Sequence, residues 1–314
     1  MKLRFKSSWE FLIEVVEKFI EDNVPKLGAA LSFYTIFSMA PLLIVIVSLA
    51  GIFYGDAAAQ GRIISEIQDY VGREGAAIIQ TALKNASYEY TGLIPIIVSA
   101  ITILIGSTIV FVDIQESLNI IWKVKPKSER GMVKGFLNDR LISFVMVLGT
   151  GLLLLATMII STIISSLNDF ISEKFFNVPV AALQNLNLII SFGVIFVLFM
   201  VVYKFLPNVH IRWKHVWAGA LVTSILFVLG QYLIGLYIGK SSLSSTYGAA
   251  GSLVIFLLWI YYSSQILFLG AEFISVYVKK SGDVILPKNK FVKFSESSIN
   301  LEEIKEPPLK NRSG

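Results

Sequence analysis

Few residues in this chain could do chemistry, and most of them lie inside or beside long apolar runs. They are three acids, Asp113, Glu116 and Glu272, and the polar side chains Gln231, Gln265 and Tyr261. A carboxylate placed in hydrocarbon is costly unless it is paired, protonated or hydrated. An acid in such a position marks a gate, a substrate contact or a proton site, or else an ion pair that locks helix ends together. Glu272 stands seven residues, or about 10 Å along a helix, before Lys279. Arg140 and Lys134, before the third apolar run, and Lys204, after the fourth, are the expected partners of the acids.

The polar residues are not scattered around their helices. Ser99, Thr102, Gly106, Asp113 and Ser117 share one narrow face at helical period. Gly251, Tyr261, Gln265 and Glu272 share a second, and Ala220, Ser224, Gln231 and Gly235 a third. Hydrocarbon cannot satisfy such faces, so they turn toward other helices or a watered path. Ser244 to Thr246, with Tyr247, Gly248 and Gly251, open the last run. They read either as a headgroup contact at a helix N-terminus or as a tight turn.

Other chemistries are closed. With no cysteine there is no thiolate nucleophile and no cysteine metal site, and His210 and His215 alone make no histidine cluster. No GxxxxGK[ST] motif is present, so transport would be secondary or facilitative, or powered by another protein. No metal or cofactor is expected. The basic loop from Lys123 to Lys134 is interrupted by Glu129 and carries no interleaved aromatics. It serves topology and anionic lipid as well as it would serve RNA, so no nucleic acid is expected as a partner.

These residues need elements to hold them. The 314 residues are 55% apolar and only 16% charged, against about 25% charged for a soluble domain. A hydrocarbon core about 30 Å thick needs roughly 20 apolar residues per helix. Six runs meet that length, at about 28–54, 93–112, 141–166, 186–206, 216–238 and 248–278. The fold class expected is all-α, a polytopic membrane bundle of six helices within a domain over 1–280. Pro41 should kink the first span, and Asn23 before Pro25 reads as its cap. Residues 7 to 22 form an amphipathic helix, with Trp9, Leu12, Ile13, Val16, Phe19 and Ile20 on one side. Residues 55–90, with Ile63, Ile67 and Tyr70, suggest a small outer helical cap. Residues 281–314 read as a polar, disordered tail. Of the 27 Lys and Arg, 22 lie on the N-terminal, second, fourth and C-terminal segments, which places both termini in the cytoplasm.

Four stretches carry a resemblance. They are GAALSFYTIFSMAPLLIVIVSLAG (28–51), DIQESLNIIWKV (113–124), YKFLPNVHIRWKHVWAGALVTSILF (203–227) and SSTYGAAGSLVIFLLWIYYSSQILFLGAEF (244–273). Together they resemble the YihY/virulence factor BrkB family of bacterial inner-membrane proteins, formerly described as ribonuclease BN-like. The resemblance implies a multi-pass inner-membrane protein with six spans and cytoplasmic ends. It brings no catalytic assignment, and it makes Tyr247, Gly248, Gly251, Trp259 and Glu272 candidates for whatever the family shares. The expected protein is not an enzyme. It is a transporter or exporter of a small amphipathic or lipid-like molecule, through a polar cavity between helices, with membrane lipids and that substrate as partners. A non-catalytic envelope scaffold is the alternative, and a tRNA-processing ribonuclease a weaker third.

Overall fold

The structure, a computed structural model, describes residues 5–55, 60–61, 63–65, 76, 80–81, 93–126, 140–153, 180–240, 249–288 and 291–293. Within them the chain is mostly helical. In order come α1 (Phe5–Glu21), α2 (Val24–Tyr54), α3 (Leu93–Ile121), β1 (Val124–Pro126), α4 (Arg140–Leu153), α5 (Val180–Phe205), β2 (Val209–His210), α6 (Trp213–Lys240), α7 (Ala249–Lys280), β3 (Leu286–Pro287) and β4 (Phe291–Lys293).

Among the described residues three segments are long and apolar enough to cross a membrane, namely Ile101–Ile121, Trp213–Leu233 and Phe256–Lys280. A fourth is added if α2 counts as one span, bent by 56° between Val24–Met39 and Pro41–Leu49. Pro41 lacks the N–H that would close a helical hydrogen bond, and its ring displaces the carbonyl four residues back. The opening is filled from α3, where Gly106 packs against the Pro41 ring so closely that a Cβ there would lie 2.7 Å from Cγ. Arg140–Leu153 and Ser191–Phe205 are shorter apolar helices. Residues 154–166, most of the outer cap, the loop 127–139 and the tail beyond 293 lie outside the described residues, as do Ile67 and Tyr70.

The core runs along α7. This helix packs on α2, α6 and α1, and α2 packs on α3. Small residues set the α6–α7 approach. Gly219 lies under Ile274, Gly270 under Tyr203 and Thr223, and Gly230 under Tyr262. Close backbone approach at small residues is how helices gain contact where hydrocarbon gives no hydrophobic drive. Farther along, Ile63 and Ala76 are buried with Leu43, Ile46 and Phe256.

At the opposite end, α1 lies alongside α7. Phe11 meets Phe273 edge-on at 5.1 Å, and Glu14 pairs with Lys279 at 2.8 Å and Lys280 at 3.3 Å. The apolar stripe faces away, with Trp9, Leu12, Ile13, Val16 and Ile20 all exposed. Asn23 differs from its expected role. It adopts a left-handed backbone (φ 51°) with no side-chain cap bond, and its amide donates to the Glu21 carbonyl instead. The junction is therefore a sharp turn between two helices.

The segment after Lys280, expected as part of a disordered tail, holds two short strands within its described residues, 281–288 and 291–293. β4 pairs antiparallel with β1, Val124 opposite Lys293, and β3 with β2, Val209 opposite Pro287. The polar composition hid this because the strands hold their place by backbone pairing to β1 and β2, far back in the chain. The two buried apolar anchors are Ile285 and Phe291.

Candidate functional site

The site grows from that same end of the bundle. α7 brings Glu272 into it on the helix face that packs against α1 and α3. The residue is fully buried, and neither carboxyl oxygen has a hydrogen-bond partner among the described residues. Among the described residues the ionisable groups facing it are Lys18 from α1, Asp22 from the turn that follows α1, and Lys123 from the turn after α3. Asp22 is ion-paired with Lys123, and its side chain is only 2% exposed. Two non-glycine residues with left-handed backbone, Asn23 (φ 51°) and Lys123 (φ 54°), flank this pair and turn the chain so that the side chains meet. Beside them Trp122 is buried and its Nε1 donates to the Ala271 carbonyl at 3.1 Å. The carbonyl accepting that bond is one residue from Glu272.

The expected partners of Glu272 do not reach it. Lys204 donates to the Ile211 carbonyl at 2.5 Å and lies over the Trp213 ring. Arg140 donates to Thr108 Oγ1 at 2.8 Å and to the Ile105 carbonyl at 3.1 Å, and the acid it faces is Glu116. Lys134 lies outside the described residues. These cations are captured by oxygens close to them in space, the Ile211 carbonyl for Lys204 and the Ile105 carbonyl and Thr108 hydroxyl of α3 for Arg140, which spacing along a sequence does not reveal.

Asp113 and Glu116 sit together on α3. One oxygen of Asp113 is buried without a partner among the described residues, whereas Glu116 is exposed. Nine residues, about 13 Å of helix, separate Asp113 from Trp122, so the Asp113–Glu116 pair and the Glu272 cluster are distinct. The α3 stripe turns inward unevenly: Ser117 is buried and Gly106 packs on Pro41, but Thr102 is exposed. Gln265 leans over Gly28 with both amide atoms buried and without a partner among the described residues. Tyr261 and Gln231 are half-buried. Gly251 lies in the first turn of α7, while Tyr247 and Gly248 lie outside the described residues.

Sequence reasoning passed over Asp22, Gln115 and Ser143. Gln115 and Ser143 are buried, with Nε2 and Oγ lacking a partner among the described residues. Asp22 had a readable signal, since it falls on the side of α1 away from the apolar stripe, four residues after Lys18.

A second charged group fastens the structure. Asp283 accepts from Lys214 at 2.7 Å, from Arg212 at 2.8 Å and from His215 Nε2 at 2.8 Å, at the start of α6. Lys214 first, then His215 and Arg212, hold its carboxyl well below the usual carboxylate range. Folding lowers this pKa, so the contribution is present above the unfolded value of about 3.9 and is lost as pH falls below it. Asp283→Asn should therefore melt earlier than the parent at neutral pH, with the gap closing in acid. A gap that stays constant in detergent melts from neutral to strongly acid pH would exclude this role.

Long apolar helices, buried acids and backbone-close glycines define a helical integral membrane protein. The family model described as Virulence factor BrkB matches residues 15–292, and the chain belongs to that family. It is similar to a UPF0761 membrane protein of Azotobacter vinelandii, 28% identical over 284 residues, covering 87% of this chain and 64% of the relative. It is also similar to one of Pseudomonas paraeruginosa, 28% identical (86% and 63% covered), and one of Albidiferax ferrireducens, 27% identical (81% and 59%). The chain thus spans less than two thirds of the length of these curated relatives. Their names indicate no catalytic function. No solved structure matches the chain.

Proposed function

We propose that the protein is a secondary or facilitative transporter of a small amphipathic or lipid-like molecule, not an enzyme, working through a polar path between α3, α4 and α7. One observation carries this reading. Asp113 Oδ2, Gln115 Nε2, Ser143 Oγ, both amide atoms of Gln265 and both oxygens of Glu272 are buried without a partner among the described residues. Buried polar groups are nearly always satisfied, and each orphan costs about 1–3 kcal/mol. Gln265 and Glu272, seven residues apart on one face of α7, fit a path that water or a polar substrate group completes. A scaffold of packed helices would have satisfied these groups mutually.

In this reading the six apolar runs form six spans in a bacterial inner membrane. The basic excess, and with it both termini and the Glu272 cluster, lies on the cytoplasmic side. The exposed stripe of α1, Trp9, Leu12, Ile13, Val16 and Ile20, then rests in the lipid interface, with Glu10 and Glu17 turned to water.

The chain has no native cysteine, so single cysteines at 113, 231, 265 and 272 can be tested cleanly with a water-soluble thiol reagent. Labelling from the cytoplasmic side is expected at 113, 265 and 272. Complete protection of all four in folded, inserted protein would replace the transport reading by a scaffold.

A further inference from the structure

Asp22 and Glu272 are 250 positions apart in the chain, yet both are buried and they face each other across the α1–α7 contact. Among the described residues only one of them has a cation in direct contact, Asp22 with Lys123. Lys18 faces Glu272 without an ion pair between them, and among the described residues Asp22, Lys18 and Lys123 are the ionisable groups that face Glu272. An ionised Glu272 would be a buried charge whose two oxygens accept nothing, beside a second carboxylate. Such an arrangement is strongly unfavourable. A neutral Glu272 resolves it, because its O–H can donate to the Asp22 carboxylate while Lys123 keeps Asp22 charged. Two carboxyls that share a site commonly hold one proton between them in this way.

We propose that Asp22 and Glu272 form a proton-binding pair, with Lys123 as the fixed counter-charge. The bound proton ties α1 to α7. Its release leaves two carboxylates facing each other and pushes the helices apart, pivoting at the left-handed Asn23 turn. As the coupling ion of a transporter, the proton rests on the function proposed above; as a binding site, it does not.

The test is infrared difference spectroscopy on the full chain in lipid nanodiscs. At neutral pH the protein should show the carbonyl stretch of a protonated carboxyl. Glu272→Gln should abolish that band, and Glu10→Gln, an exposed acid of α1, should not. Asp22→Asn should move its frequency, because the acceptor changes from a carboxylate to an amide oxygen. Gln imitates the neutral acid, so Glu272→Gln should fold at least as well as the parent. A structural ion pair predicts the reverse, loss of stability and no band. No band in the parent, or one that survives Glu272→Gln unchanged, overturns the proposal. If Glu272→Gln fails to fold, the Asp22→Asn result decides alone, and an unmoved frequency overturns it. Band loss in Glu272→Gln from a protein that moves no substrate would keep the proton site and discard the transport reading.

Discussion

Gly270→Ala is expected to destabilise the protein by about 3 kcal/mol, and Gly270→Leu to prevent it from folding. A Cβ at position 270 would collide with Thr223 Oγ1 and Tyr203 Oη. Neither atom is the loose end of a flexible chain. Tyr203 Oη donates to the Leu267 carbonyl at 2.7 Å and lies 3.0 Å from Thr223 Oγ1. Thr223 Oγ1 in turn donates to the Gly219 carbonyl at 2.8 Å. One methyl group therefore forces apart two helices, or breaks a buried chain of hydrogen bonds worth about 1 kcal/mol each. Thr223→Ala in the same chain should restore part of the loss, because it removes the nearest clashing atom. The coupling is read from a double-mutant cycle on melting in detergent. Parent-like melting of Gly270→Ala would mean that α6 and α7 stand farther apart than these contacts require.

Membrane helices are legible in a sequence because their cause is local: length, apolarity and the absence of charge act within one segment. The kink at Pro41 and the long apolar run of α7 follow from such local rules, whereas the glycines at its contacts, Gly219, Gly230 and Gly270, were not singled out. The inward polar faces were legible in part, since Ser117, Ser224 and Glu272 are buried while Thr102 is exposed. What the sequence hid is pairing across distance. Lys123 reads as one member of a basic loop, and Asp22 as the last acid of an amphipathic helix. Only the two left-handed turns at Asn23 and Lys123 bring them together beneath Glu272. The strands at 286–293 escaped for the same reason, because their partners are loops rather than neighbours. Positive φ at a non-glycine residue is set by tertiary context, so neither turn was predictable from composition.

Trp122→Ala should be the most damaging substitution outside the glycine contacts, costing about 3–5 kcal/mol. The indole is 2% exposed, and its removal opens a cavity where α3 ends against α7. Trp122→Phe keeps most of the volume and loses only the Nε1 bond to the Ala271 carbonyl, about 1 kcal/mol. The gap between the two variants, read from melting curves, separates packing from hydrogen bonding. Equal losses would mean that the bond, not the ring, holds this end. The consequence reaches the acids as well. Trp122 immediately precedes the left-handed Lys123 and the strand β1, so the ring fixes the turn that presents Lys123 to Asp22. In Trp122→Phe the turn stays anchored by the ring, and the carboxyl band assigned to Glu272 should persist at its parent frequency. In Trp122→Ala, at a temperature where the protein is still folded, the band should shift or broaden, because Lys123 no longer holds Asp22 in one position. A sharp, unmoved band in the folded alanine variant would show that the carboxyl pair is positioned by α1 and α7 alone.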